Sequence, residues 1–153
     1  MASAAPKESE LLAPVVDLFQ VEGMRSLLEV RLSRKRIDVV FIPGSQTGWI
    51  AVELKVHDWK RALWQAAVNT QLAEHSYVAL WHTTIRTALE RKILFERYGV
   101  GIISVTATDA SIALEARRTE ISTRAQQQRM LLDSLEGLDQ KDGDLGALSL
   151  LPA

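Results

Sequence analysis

The chain has 153 residues, of which 47% are hydrophobic and 24% are charged, and this composition fits one globular domain that can bury a core. It contains no cysteine, which excludes disulfides, thiolate metal sites and a cysteine nucleophile. The net charge of −1 is unevenly distributed. Residues 1–132 include 17 basic and 14 acidic residues, whereas the segment from Asp133 onward includes one basic and five acidic residues.

The predicted elements begin with a helix over SELLAPVVDLFQVEG, in which Ser9 can cap the start and Gly23 can end the helix. Three strands follow, SLLEVRL, RKRIDVVFI and WIAVELKV, with turn residues in PGSQTG between the last two. Asp58 is the predicted N-cap of a helix over WKRALWQAAVNTQLAEH. The remaining elements are a strand in SYVALW, a helix in TIRTALERKILFERYG, strands in VGIISV and SIALEA, and a last helix.

This order of elements predicts an α/β domain. Three successive strands favour an antiparallel meander, and the later alternation of strand and helix favours parallel crossovers, so we expect a mixed sheet flanked by helices. We divide the chain into a domain over residues 1–118, a helix over 119–135 and a flexible acidic tail over 136–153. Because we see no signal peptide and no apolar run of bilayer length, we expect a cytoplasmic protein.

Three charged residues interrupt the apolar strands. Asp38 lies in RIDVV, and Glu53 and Lys55 lie two apart in AVELKV, so the last two share one face of their strand. A short loop joins the two strands, and antiparallel pairing can bring Asp38 beside Glu53. Two adjacent carboxylates repel unless a cation joins them, and oxygen ligands favour Mg²⁺ or Mn²⁺. The alternative to a metal site is a set of solvent-facing residues on half-buried strands.

The pattern resembles the PD-(D/E)XK nuclease superfamily, in particular its small single-domain members similar to Holliday-junction resolvases. The matching residues are Asp38, Glu53 and Lys55, and the order of elements matches over roughly Glu10 to Val105. The resemblance implies a restriction-endonuclease-like αβββαβ core and a metal held by two carboxylates, with the lysine acting on water or phosphate. The chain departs from the family motif at Ile37, where the family has proline.

The resemblance adds two further positions to the site. Glu10 is similar to the first-helix glutamate that supports the metal in the family, with Glu22 and Glu29 as alternatives. Gln65 is similar to the glutamine on the helix after the E-x-K strand, whose amide holds water or reaches the DNA backbone.

Basic residues near these positions are candidate contacts to nucleic-acid phosphates. They are Lys60 and Arg61, at the start of the helix, and the cluster of Arg34, Lys35 and Arg36 before the Asp38 strand. A solvated helix face and a charged turn are the alternatives, and the charge of the whole chain is equally compatible with a mixed surface.

The function implied by the resemblance is a Mg²⁺- or Mn²⁺-dependent endonuclease that hydrolyses DNA. Few elements remain outside the core to read a DNA sequence, so specificity would require a homodimer or another partner. The alternatives are a catalytically inactive nucleic-acid-binding or regulatory protein on the same fold and a protein-interaction domain. A site that has lapsed has no physical reason to keep charges within strand cores, which favours the enzyme.

Overall fold

A computed structural model of the chain describes residues 6–20, 23–32, 34–44 and 48–142, with side chains described as far as Leu132. A 3-10 turn, Glu8–Leu11, precedes the first helix. The helices are α1 (Leu12–Gln20), α2 (Trp59–Asn69), α3 (His82–Leu89), α4 (Lys92–Tyr98) and α5 (Thr123–Asp142). The strands are β1 (Arg25–Leu32), β2 (Lys35–Ile42), β3 (Ile50–Lys55), β4 (His75–Trp81), β5 (Val100–Val105) and β6 (Ala110–Leu114).

The strands form one mixed sheet in the order β1-β2-β3-β4-β5-β6. The first three strands are antiparallel neighbours, β3, β4 and β5 are parallel, and β6 returns antiparallel to β5. Helix α2 joins β3 to β4, and helices α3 and α4 join β4 to β5, because parallel neighbours need a crossover of this length. The predicted α/β class and mixed sheet are therefore confirmed.

Both faces of the sheet are buried. On one face α1 packs on the strands, with the rings of Phe19 and Phe41 4.5 Å apart at their centroids. The opposite face carries two apolar clusters, one shared by β1, β2, β3 and α5 and the other shared by β4, β5, α2 and α4. Because side chains alternate along a strand, Val52 faces α1 whereas Ala51 faces the opposite side. Glu53 follows the same alternation as Ala51 and faces the side that carries α2 and α5.

All four predicted helices have different bounds in the structure. The helix that begins at Trp59 ends at Asn69 and does not reach His75, which begins β4. The first α-helix begins at Leu12, so Pro14 lies in its first turn, where a missing N–H breaks no intrahelical bond. The predicted helix over TIRTALERKILFERYG is interrupted after Leu89: the Arg91 amide donates to the carbonyl of Ala88, three residues earlier, which is tighter than α-helical spacing. A single continuous helix in this segment was therefore a wrong prediction.

The last helix begins four residues later than predicted, at Thr123, and its backbone continues to Asp142. It therefore takes in the first residues of the segment predicted as an acidic tail, whereas residues 143–153 lie outside the described part of the chain. None of the helices within the described ranges is both long and apolar enough to cross a bilayer.

Candidate metal centre

Asp38 and Glu53 lie opposite each other on neighbouring strands. The register between β2 and β3 pairs Val39 with Val52 and Val40 with Ala51, and its next step aligns Asp38 with Glu53. The paired ladder stops one residue before this step. The chain thus brings the two predicted carboxylates together on one face of the sheet, at the point where β2 and β3 cease to pair through their backbones.

Side chains replace the missing backbone bonds at this point. The amide of Leu54 donates to Oδ2 of Asp38 at 2.8 Å, and the amide of Asp38 donates to Oε2 of Glu53 at 3.4 Å. Each carboxylate therefore accepts an amide of the neighbouring strand, which satisfies buried donors that the ladder leaves open. The two acids are fixed by the backbone itself, so their proximity does not depend on a flexible side-chain conformation.

Glu53 is buried, with 2% of its surface exposed. Burial, followed by the negative charge of Asp38, raises the pKa of Glu53 from its ordinary value near 4.5 to about 7. The positive charge of Lys35 and a hydrogen bond from Asn69 oppose that shift of the pKa without cancelling it. A carboxylate held in this state is stabilised by any cation that replaces the missing solvation.

This shift of the pKa predicts how stability depends on pH in the absence of metal. The folded chain binds the Glu53 proton more tightly than the unfolded chain, so the stabilisation is complete below about pH 4.5 and is lost as the pH rises through about 7. Glu53→Gln keeps a neutral side chain of the same shape. We expect Glu53→Gln to have a larger unfolding free energy than the wild type at about pH 8. This difference should shrink towards about pH 5. Each unit by which folding raises the pKa of Glu53 corresponds to about 1.4 kcal/mol.

Urea unfolding with a chelator present, repeated across this pH range, measures the effect. Glu90→Gln changes an exposed glutamate at the end of α3 and serves as the matched control. Parallel pH profiles for wild type and Glu53→Gln would show that the carboxylate is not destabilised in the fold.

Lys55 ends β3 and is half-buried, and its partner comes from the 3-10 turn. Its Nζ donates to Oε1 of Glu8 at 2.9 Å. The structure brings Glu8, rather than the predicted Glu10, into contact with a residue of the site. Glu10 is exposed, and its carboxylate accepts the backbone amide of Lys7 at 3.3 Å. Of the alternatives to Glu10, Glu29 is an exposed residue with Arg36 3.8 Å away, and Glu22 lies outside the described residues.

Helix α2 contributes an amide to the acid pair, but from a residue that the sequence analysis missed. Asn69 is fully buried, and its Nδ2 donates to Oε2 of Glu53 at 3.3 Å. Gln65 is half-buried one turn earlier on the same helix. The available signal was the apolar period of α2, because Ala62, Ala66 and Asn69 recur at helical spacing on the buried face.

The predicted phosphate contacts lie on two surfaces. Lys35 is close enough to the acid pair for its charge to lower the pKa of Glu53, and Arg36 is exposed beside it. Lys60 and Arg61 are exposed at the start of α2. Arg34 is an exposed turn residue with a left-handed backbone, at φ 67°.

The donor set is suited to a hard divalent cation. Mg²⁺ is commonly held by one or two carboxylates together with water and substrate phosphate. In the described part of the chain, no three Asp, Glu, His or Cys side chains form a group that could hold a metal ion. The carbonyl oxygen of Asn69, Oδ1, is buried next to Glu53 and has no hydrogen-bond partner among the described residues. Two carboxylates and an unsatisfied oxygen fit Mg²⁺ or Mn²⁺.

Comparisons with known proteins give information about the fold and none about the chemistry. No protein-family profile matches the chain, and no curated protein matches it. Among solved structures, a protein of unknown function from Silicibacter pomeroyi, SPO1766, is 18% identical, with a TM-score of 0.63 over 94% of this chain and 97% of that chain. That similarity shows a shared fold. SfsA from Pyrococcus furiosus, solved in complex with Ca²⁺, is 13% identical, with a TM-score of 0.37 over 71% of this chain and 59% of that chain.

Proposed function

We propose that the protein is a metal-dependent nuclease that hydrolyses phosphodiester bonds of DNA at a site formed by Asp38, Glu53 and Lys55. The observation that carries this proposal is the placement of Asp38 opposite Glu53 where β2 and β3 stop pairing, with the Asp38 amide donating to the Glu53 carboxylate at 3.4 Å. Each carboxylate accepts one backbone amide, but the repulsion between two neighbouring acids, of which Glu53 is buried, destabilises the fold unless a cation joins them.

Each residue has a distinct task in this proposal. Asp38 and Glu53 hold the cation, which when bound lowers the pKa of its water and neutralises charge on the phosphate. Lys55 places an ammonium at the end of the same strand, where it can orient the attacking water or offset charge that builds on the phosphate. The pair with Glu8 holds the ammonium in place before substrate binds.

We further propose that the sheet and its helices form the restriction-endonuclease-like core of the PD-(D/E)XK superfamily. The strand order, with an antiparallel meander followed by a helical crossover to a parallel strand, supports this assignment. DNA is the proposed partner because Lys60 and Arg61 are exposed on α2. Trp64 on the next turn packs against Tyr98, with ring centroids 5.7 Å apart, and is 63% exposed, so its outer face could contact a base or sugar. A homodimer would supply further contacts to DNA.

One observation favours a second function, a nucleic-acid-binding protein without catalysis. Lys55 is neutralised by Glu8 at 2.9 Å, and an ammonium engaged in that ion pair is less able to act on a phosphate. This alternative predicts DNA binding without cleavage, with or without added metal.

The metal is the first test of the proposal. Mn²⁺ binding measured by titration calorimetry is expected to fall by about tenfold or more in Asp38→Asn and in Glu53→Gln, because each substitution removes one of two charged ligands. Asn is preferred to Ala at position 38 because its side-chain oxygen can still accept the Leu54 amide, which is bonded at 2.8 Å. Glu90→Gln serves as a control. Unchanged Mn²⁺ affinity in both site variants would contradict the centre.

Cleavage is the second test. Plasmid and branched DNA are incubated with the protein and Mg²⁺ or Mn²⁺, with Glu53→Gln as the negative control and Glu90→Gln as the matched positive one. We expect cleavage by the wild type and by Glu90→Gln alone. Binding of either DNA without cleavage would favour the second function.

A further inference from the structure

The amide of Asn69 is a buried group that the proposed nuclease site does not yet use. The residue is fully buried at the end of α2, and its Nδ2 donates to Glu53. The other end of the same amide, Oδ1, has no hydrogen-bond partner within the described ranges of the chain. An unsatisfied buried acceptor destabilises the fold unless another group contacts it.

The position of this oxygen limits what can compensate it. Oδ1 is bonded to the same carbon as Nδ2, which lies 3.3 Å from Oε2 of Glu53, so Oδ1 is near the Glu53 carboxylate. The same Oε2 of Glu53 also accepts the backbone amide of Asp38, at 3.4 Å, so Asn69 and Asp38 meet at one carboxylate oxygen. Carboxylates offer no hydrogen to a carbonyl oxygen when they are charged. A cation held by those carboxylates would satisfy all three oxygens together.

We propose that Asn69 is part of the metal centre, with Oδ1 as a neutral third oxygen ligand to a divalent cation held by Asp38 and Glu53. This inference rests on the proposed function, because it uses the same cation. Amide oxygens are ordinary ligands of hard divalent cations, and a neutral donor adds a contact without adding a third negative charge to a buried site. In addition, the Nδ2 bond fixes the orientation of Glu53, so one side chain both holds a carboxylate in place and supplies an oxygen.

The alternative role for Asn69 is purely structural. In that case the residue acts through Nδ2 alone, and the orphaned Oδ1 is a tolerated cost. The two roles differ in what substitution does to metal affinity. Asn69→Asp keeps an oxygen at this position and removes the N–H donor, whereas Asn69→Leu has similar volume and removes both.

The test measures Mn²⁺ affinity by titration calorimetry on the full chain, with thermal unfolding with and without Mn²⁺ as a second readout. Asn69→Leu is expected to weaken Mn²⁺ binding by about tenfold or more and to reduce the metal-dependent rise in melting temperature. Asn69→Asp is expected to bind Mn²⁺ at least as tightly as the wild type. Neither readout requires cleavage.

Ser76→Ala is the matched control for loss of packing under α2. Ser76 is fully buried, and its hydroxyl donates to the carbonyl of Ala66 in α2 at 2.6 Å, so the substitution loosens the same helix without touching the acid pair. We expect it to lower the melting temperature equally with and without Mn²⁺.

Each outcome decides between the two roles. Wild-type Mn²⁺ affinity in Asn69→Leu overturns the inference, as does an equal loss of affinity in Asn69→Asp and Asn69→Leu, since that result assigns the effect to Nδ2. Absence of Mn²⁺ binding by the wild type overturns the inference together with the metal centre. Mn²⁺ binding that depends on Asn69, in a protein that cleaves no DNA, upholds the inference and rejects the nuclease.

Discussion

Lys55→Ala is expected to lower the rate of DNA cleavage by about a hundredfold or more while leaving Mn²⁺ and DNA binding close to wild-type values. In the proposed site the two carboxylates hold the cation, so the affinity for the cation should not depend on the ammonium. The contribution of Lys55 belongs to the transition state, in which charge builds on the phosphate and water loses a proton. The loss of one preorganised group of this kind typically costs about a hundredfold to a thousandfold in rate.

The ion pair with Glu8 shapes the controls for this experiment. Glu8 is half-exposed, so removal of Lys55 leaves a carboxylate that water can solvate and costs little stability. Glu8→Gln releases the ammonium and is expected to retain cleavage. Lys55→Arg is expected to recover only part of the rate, because a guanidinium keeps the charge but is bulkier and cannot act as a base near neutral pH.

Single-turnover cleavage at saturating enzyme gives the rate of the chemical step, and a gel-shift assay in Ca²⁺ gives DNA affinity. A Lys55→Ala variant that cleaves at the wild-type rate would make the residue a surface charge with a structural partner. A loss of DNA binding equal to the loss of rate would assign it to substrate binding instead.

The largest expected effect on stability lies away from the acid pair, where α5 docks on the sheet. Arg129 donates to Oε1 of Glu74 at 2.7 Å, and both side chains are nearly buried. The guanidinium also lies over the ring of Trp49, 4.2 Å from its centroid, and the Trp49 amide donates to the same Glu74 oxygen at 3.1 Å. Arg129→Met is expected to lower the unfolding free energy by about 3–5 kcal/mol, because it leaves a buried carboxylate without its counter-charge.

Urea unfolding near neutral pH measures this effect. Arg124→Met is the matched control, since Arg124 is exposed on the same helix. The double variant Arg129→Met with Glu74→Gln is expected to recover part of the loss, because no unpaired charge then remains. Equal stability of Arg129→Met and Arg124→Met would show that the pair contributes nothing to the docking of α5.

The same pair predicts a pH dependence opposite to that of Glu53. Burial alone would raise the pKa of Glu74, but the hydrogen bond and the charge of Arg129 outweigh burial and hold the pKa below its ordinary value near 4.5. The stabilisation is therefore present above about pH 4.5 and is lost as the pH falls through the lower, folded-state value. Lowering the pH of the wild-type protein should therefore weaken the docking of α5. At the same time it should reduce the repulsion between Asp38 and Glu53.

The sequence allowed the sheet and the acid pair to be predicted because local rules determine both. Period two on a strand places Glu53 and Lys55 on one face, and the short connection between β2 and β3 restricts the register that brings Asp38 to Glu53. The alternation of later strands and helices predicts the parallel crossovers in the same way. These features depend on residues that are near in the chain or on a regular repeat.

The features that sequence analysis missed depend on contacts between distant residues. Glu8 and Lys55 form an ion pair although they are 47 positions apart in the sequence, and Glu74 and Arg129 do so at 55 positions apart. No periodicity in the sequence links such pairs. Asn69 resembles an ordinary polar residue near a helix end until the packing of α2 on β3 brings it to Glu53. The break after Leu89 depends on a local turn geometry that amphipathic spacing does not reveal.

The two carboxylates each accept a hydrogen bond from a backbone amide, and these amides make the proposed centre visible to spectroscopy. The Leu54 amide is bonded to Oδ2 of Asp38, and the Asp38 amide is bonded to Oε2 of Glu53. The proton resonance of an amide is sensitive to the charge of the group that accepts its hydrogen bond. Two assigned peaks in a ¹H–¹⁵N spectrum, those of Leu54 and Asp38, would therefore report binding of Mg²⁺ at the proposed centre without substrate and without catalytic turnover.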